Sequence, residues 1–214
     1  MKFNWLIDRL NEDRNISTSL NKEKTVLTID RKNRDESLTI SIIHSNKPSL
    51  EDIINITEKY NTDFILSKKE TFINGEILEF LEKKEKTIGS YGDVFRIMDQ
   101  EYNYPYLPPE VKFILRNLKQ HTKVRQIKRL DTKRYLISRH GLEDVIVIAL
   151  YDYDLGIEAI RSAVDIYGQF DAVFKGNPNG RISSSAYEFA NSMKIKVLMW
   201  GELLGELNRK WKLN

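Results

Sequence analysis

Two carboxylates two residues apart, Asp152 and Asp154, stand just past an apolar run, Val145 to Leu150, that reads as a strand. Open α/β sheets bind ligands beyond the carboxyl ends of their strands. A carboxylate pair there can hold Mg²⁺ for phosphoryl chemistry. The competing reading is a solvated turn whose acids cap the helix that follows. A second candidate is the loop Lys175-Gly176-Asn177-Pro178-Asn179-Gly180-Arg181, followed by Ser183, Ser184 and Ser185. Serines and a cation at a helix N-terminus suit a phosphate, which makes Lys175, Asn177, Asn179, Arg181 and Ser183 the candidate contacts. The Ser185-to-Glu188 spacing is that of a capping box. The loop matches neither a Walker sequence nor a dinucleotide fingerprint, and a tight strand-to-helix turn would use the same residues.

The strongest signal is electrostatic. Residues 111–140 hold ten Lys or Arg and one acid, Asp131. A run from Lys112 to Arg139 that includes Lys119, Lys123, Arg125, Lys128, Arg129, Lys133 and Arg134 could neutralise several phosphates of DNA or RNA. His121 and Tyr135 lie within it as candidate stacking groups. Against this stands the ordinary fate of charge runs, a solvated helix face and an exposed hairpin. Residues 1–107 carry a net charge of −3 and the remainder +6, so the two halves face different partners. A protein partner is the expectation for the acidic half.

Other chemistries are thinly represented. His44, His121 and His140 lack metal-ligand spacing, and cysteine is absent, which removes disulfides, thiolate sites and cysteine nucleophiles. No metal site and no cofactor are expected, with Mg²⁺ entering only if Asp152 and Asp154 are catalytic. Hydrophobic content of 41% with 30% charged residues describes a globular chain. Without cysteines, signal-like segments or membrane-length apolar runs, the expected location is the cytoplasm.

The elements that must position these groups alternate in period. After Val145–Leu150 comes a helical face of Ile157, Ile160, Val164 and Tyr167, then a strand Ala172-Val173-Phe174. A helix with Ala186, Phe189, Ala190 and Met193 follows, then a strand Val197-Leu198-Met199 and a helix with Leu203, Leu204 and Leu207. That alternation predicts an α/β unit with a largely parallel sheet. Upstream, Val111, Ile114, Leu115 and Leu118 predict a helix, followed by strands over 124–130 and 134–138.

The same order occurs earlier. Leu50, Glu51, Ile53 and Tyr60 answer Ile157, Glu158, Ile160 and Tyr167 at a spacing of 107, and Leu10 answers Leu118 at 108. At a spacing of 109, Ile77, Phe80 and Leu81 answer Ala186, Phe189 and Ala190. A duplication follows, giving two tandem α-β-β-(β)-α-β-α-β-α units, each a small mixed sheet flanked by helices. The first, acidic, unit is placed at 1–101, a Tyr/Pro linker at 102–109 and the second, basic, unit at 110–214. In the first unit an N-terminal helix precedes a polar turn region, Asn11 to Glu23. Strands are predicted over 25–30 and 38–43, joined by a turn at 31–35, with Ser49 and Ser90 as helix caps.

This order resembles the restriction-endonuclease-like fold, and the second half looks like the tail of its Mrr-type members. The likeness rests on Leu155-Gly156-Ile157-Glu158-Ala159-Ile160, Phe170-Asp171-Ala172-Val173-Phe174, Ser185-Ala186-Tyr187-Glu188-Phe189-Ala190, Ile195-Lys196-Val197-Leu198 and Gly201-Glu202-Leu203-Leu204, over about 65 residues. Such a resemblance implies a metal site built from an Asp, then a Glu or Gln and a Lys two apart on the next strand. The last two positions fall on Ile148 and Leu150 here and on Ser41 and Ile43 in the first half, with Asp30 alone as a counterpart of the Asp. The resemblance therefore implies degenerate nuclease units without that metal chemistry. Asp152-Tyr153-Asp154-Leu155-Gly156 after a strand is also similar to the first motif of haloacid-dehalogenase-like phosphatases, although the Thr that should follow is missing. The leading expectation is a non-catalytic nucleic-acid-binding protein. A protein-interaction module (an inhibitor or adaptor) and a Mg²⁺-dependent nuclease or phosphohydrolase stand as alternatives.

Overall fold

A computed structural model describes residues 3–32, 37–99 and 106–211. The chain divides into two units, Met1–Pro108 and Pro109–Asn214. Residues 102–105 of the Tyr/Pro segment at 102–109 and residues 33–35 of the turn at 31–35 lie outside the described residues.

The first unit runs α1 (Asn4–Leu10), β1 (Ile16–Leu20), β2 (Val26–Arg31), β3 (Leu38–Ile42), α2 (Leu50–Tyr60), β4 (Phe64–Leu66), α3 (Gly75–Lys83), β5 (Thr87–Gly89) and α4 (Tyr91–Asp99). The second runs α5 (Pro109–Gln120), β6 (Val124–Arg129), β7 (Arg134–Arg139), β8 (Leu142–Leu150), α6 (Ile157–Tyr167), β9 (Ala172–Lys175), α7 (Ser184–Ser192), β10 (Lys196–Leu198) and α8 (Trp200–Glu206). Each sheet has its strands side by side in chain order. The first three are antiparallel and the last two add in parallel. The protein is thus two tandem α/β units, each a five-stranded mixed sheet flanked by helices.

Each sheet is covered on both faces, so its fourth strand carries a continuous apolar run, Phe64–Leu66 in β4 and Ala172–Phe174 in β9, instead of alternating. Phe64, Ile65 and Leu66 of β4 are all fully buried. In the first unit, Leu6, Leu10, Val94 and Ile97 bring α1 and α4 onto one face, while Ile53, Ile77 and Leu81 bring α2 and α3 onto the other. In the second, Ile114, Leu118, Leu203 and Leu207 place α5 and α8 on one face, and Ile160, Ala163, Ala186 and Ala190 place α6 and α7 on the other.

The likeness extends to single hydrogen bonds. Asp63, preceding β4, accepts from the Thr39 amide of β3 at 2.9 Å, and Asp171, preceding β9, accepts from the Ile146 amide of β8 at 2.6 Å. Carboxylates at the third position of α4 and α8 accept from the amide just before each helix, Asp93 from Ser90 at 2.8 Å and Glu202 from Met199 at 2.7 Å. After α3 and α7 the chain turns through a left-handed residue that is not glycine, Glu85 at φ 55° and Lys194 at φ 59°.

Local expectations fail at three places. The polar region Asn11–Glu23 contains strand β1: Ile16, Thr18 and Leu20 alternate inward and Ser17 and Ser19 outward, the habit of a half-exposed edge. Ser90 does not cap by accepting; its hydroxyl donates to Asp93 at 2.8 Å. The cap of α7 is Ser183, which accepts from the Ala186 amide at 3.1 Å, and not Ser185. Ser49 and Asp52 do form the expected reciprocal box. Its hydrogen bonds with Ser49 hold the Asp52 carboxyl below the ordinary aspartate value.

A pH test arises at α8. Glu206 binds Lys196 of β10 at 2.9 Å and Arg209 at 3.1 Å, and the Lys196 hydrogen bond holds its carboxyl below the ordinary glutamate value. A depressed folded value gives stabilisation that is full above the unfolded value and lost as pH falls through the folded one. Replacing Glu206 with Gln is expected to lessen the acid sensitivity of the second unit below about pH 5, read by urea unfolding at several pH values. An unchanged pH dependence would refute this coupling.

Candidate nucleic-acid interface

The structure joins two of the candidate motifs at one end of the second sheet. The turn after β8 carries Asp152 and Asp154, and the loop after β9 lies against it. The Gly176 amide donates to Leu150 O at 2.7 Å, Leu155 N donates to Arg181 O at 2.8 Å, and Arg181 N donates to Asp154 Oδ1 at 3.0 Å. A Cβ on Gly180, whose φ is +77°, would lie 1.9 Å from the Tyr153 carbonyl oxygen. Glycine is therefore required by closeness of approach as well as by backbone angle.

The same packing uses up the loop's polar groups. Lys175 is buried, and its ammonium donates to the carbonyl of Asn177 at 2.6 Å and to that of Asn179. Asn177 Oδ1 accepts from Asn179 N at 2.9 Å, and Ser183 is engaged as the α7 cap. Lys175 is thus an internal brace and not a phosphate contact; of the expected phosphate set, Asn179, Arg181 and Ser183 are exposed, and Arg181 forms no ion pair among the described residues. Asp154 braces the same turn through Arg181, while Asp152 is exposed. Among the described residues no three His, Asp or Glu side chains gather into a metal-sized group.

The basic run divides by what each cation touches. On α5, Lys112, Arg116 and Lys119 recur at helical spacing on the exposed surface, while Val111, Ile114 and Leu118 face the sheet. On edge strand β6, Val124 and Ile127 pack on the core. A register shift between Val124 and Gln126 leaves Arg125 and Lys128 exposed. Half-buried Lys123 lies between helix and strand. Lys112, Arg116, Lys119, Lys123, Arg125 and Lys128 form no ion pair among the described residues. Since α5 packs beside β6 and α8 beside β9 and β10, the flank of α5 away from α8 lies toward β6. Phe113 meets Trp200 of α8. The cation stripe sits roughly 60–120° around the helix from Phe113, on the β6 side.

The rest of the run is withdrawn. Arg139 is buried and donates to the carbonyls of Glu143 at 2.9 Å, Leu207 at 3.3 Å and Arg209 at 2.8 Å; its guanidinium lies over the Trp211 ring at 5.3 Å. Burial lowers its pKa from the ordinary arginine value. Arg134 binds the buried Asp131 carboxylate at 2.7 Å and Gln169 O at 3.2 Å. Lys133 lies over the Tyr167 ring at 5.6 Å. Arg129 is half-buried on the Tyr135 side of the sheet. Neither proposed stacking group is available: Tyr135 is in the core, where burial pushes its phenol up to about 12, and His121 bridges Leu204 O and Lys123 N at 3.0 and 3.2 Å.

Comparison with family models, curated proteins and solved structures finds no match. The site is therefore read from its own geometry. Ile148 and Leu150, where the resemblance to nucleases would put metal ligands, are buried among α6 and α7 residues. In the first unit, Ile43 is buried, Ser41 is bound to Thr62 Oγ1 at 2.6 Å, and Asp30 accepts from Ser37. Among the described residues no helix is long and apolar enough to cross a membrane. Besides Trp5 with Tyr91 and Phe95 in the first unit, the sequence expectations leave out the aromatic pair Phe113 and Trp200. Its signal is present, since Phe113 lies off the apolar stripe Val111-Ile114-Leu118.

Proposed function

We propose that the protein is a non-catalytic nucleic-acid-binding protein built from two degenerate nuclease-like units, and that it binds the phosphate backbone through α5 and β6 of the second. The observation that carries this reading is the group of six cations, Lys112, Arg116, Lys119, Lys123, Arg125 and Lys128, unpaired among the described residues. Unpaired surface cations keep their full charge for phosphates and release condensed counterions on binding. Backbone contacts carry little base information, so the affinity is sequence-independent.

Fluorescence anisotropy with labelled oligonucleotides across a salt series tests it. Replacing Lys119, Lys123, Arg125 and Lys128 together by Glu is expected to weaken binding by at least about a hundredfold, and to flatten the salt slope by about 0.7–0.9 for each phosphate no longer neutralised. The same reversal at Lys22, Lys24, Lys32 and Lys68 in the acidic unit should change affinity little. Equal losses from both sets would reduce the reading to general charge attraction.

A second reading, a protein-interaction module, is favoured by the first unit. Trp5 is 57% exposed, edge-on to Tyr91 at 5.2 Å and Phe95 at 5.9 Å, with Asp8, Glu12 and Asp13 exposed nearby. Absence of nucleic-acid binding at low salt, together with a stoichiometric protein complex lost in Trp5→Ser, would select it.

A further inference from the structure

Resting on the nucleic-acid reading, we propose that the α5 surface takes single-stranded nucleic acid, with the Phe113 ring as a platform for an unpaired base and Lys112 and Arg116 on the flanking phosphates. Phe113 is 51% exposed although it lies in a helix with a full apolar stripe on its other side. Its ring is braced from behind: Trp200 lies 5.2 Å away at 51°, and Trp200 is itself seated on buried Phe174 at 5.0 Å and 57°. A ring fixed in this way offers a π face with little freedom left to lose on binding. Arg116 follows one turn later on the same exposed surface. Exposed aromatics interleaved with unpaired cations are the chemistry that holds single strands, whose bases are free to stack, while duplex bases are already stacked on one another.

The first unit provides an internal contrast. At a spacing of 108, Trp5 of α1 answers Phe113 and packs on Tyr91, the counterpart of Trp200, at the same 5.2 Å. The three cations are not repeated beside it: Asn4, Asp8 and Asn11 occupy the positions of Lys112, Arg116 and Lys119, and Arg9, which lines the same pocket as Trp5, is paired with Glu12. Both units keep the aromatic pair, and the second sets a stripe of cations beside it that form no ion pair among the described residues. Stacking on the Trp5 pair would bring phosphates against Asp8, so the platform functions in the second unit only.

The test is anisotropy of the full chain with a labelled oligo-dT of about 20 nucleotides and a duplex of equal length. Phe113→Ala is expected to weaken single-strand binding roughly tenfold while leaving the salt slope unchanged, because a stacking contact releases no counterion. Phe113→Leu, which keeps an apolar contact with Trp200, should lose nearly as much. Phe113→Trp should bind as well as the parent, and Trp5→Ala should have no effect. Wild-type single-strand affinity in both Phe113→Ala and Phe113→Leu overturns the platform. Equal losses on duplex and single strand overturn it too, and in either case the backbone-binding reading stands if the cation reversal still abolishes affinity. No binding of either probe at low salt overturns both.

Discussion

Replacing Asp131 with Ala is expected to destabilise the second unit by about 3–5 kcal/mol. Asp131 is fully buried and accepts from the Lys133 amide at 2.8 Å, the Arg134 amide at 2.8 Å and Arg134 Nε at 2.7 Å. Alanine would leave two amides and a largely buried guanidinium facing apolar surroundings, and removing one partner of a buried ion pair costs far more than the pair is worth intact. The Asp131→Asn variant keeps one acceptor for the turn and is expected to recover part of the loss. Urea unfolding should show a lower midpoint for the second unit with that of the first unchanged. A loss below about 1 kcal/mol would mean that the turn relaxes and hydrates Arg134, which would sink the assignment.

Gly180 should show the second large effect. Alanine there combines a left-handed backbone with a Cβ 1.9 Å from the Tyr153 carbonyl oxygen, so the loop must lift off the turn. A destabilisation of about 2 kcal/mol is expected, from backbone strain together with the packing that separates. Faster hydrogen exchange at Leu155 and Arg181 should accompany it, since those amides bridge the two segments. Gly201, inside α8 with nothing within 4 Å of its would-be Cβ, is the control: Ala there should be neutral or stabilise by about 0.5–1 kcal/mol. Unaltered exchange at both amides in Gly180→Ala would contradict the bracing role.

Much of the architecture was legible because burial on one or both sheet faces imposes a period. The helix faces of α2 and α6, and the strands Phe64–Leu66 and Ala172–Phe174, follow directly from it. Strand β1 escaped because an edge strand is covered on one side only, and Ile16-Ser17-Thr18-Ser19-Leu20 spells that with hydroxyls that also suit turns. The site was less legible because residue type does not report depth. Lys175 and Arg139 read as surface cations, yet each is buried with its charge directed at backbone carbonyls, a partnership that no spacing rule reveals. Asp131, the lone acid in the basic run, was the visible hint that Arg134 had a partner. Phe113 needed only the helix wheel: it breaks the stripe, and its exposure follows.

The shared order of nine elements creates a recognition problem while the chain folds. Whenever both halves are unfolded, β4 has two possible neighbours, β3 and β8, and β9 has the same two. The aspartate clamp does not choose between them, since Asp63 and Asp171 would each find an equivalent amide on either strand. Side-chain volume does. Phe64 is paired opposite Ile40, whereas the corresponding Ala172 is paired opposite Val147. Exchanging the strands would force a phenyl ring into a space shaped for a methyl group and open a void in the other sheet, penalties that add. Tandem copies are prone to misassembly of this kind, and unequal residues at these equivalent core positions raise its cost.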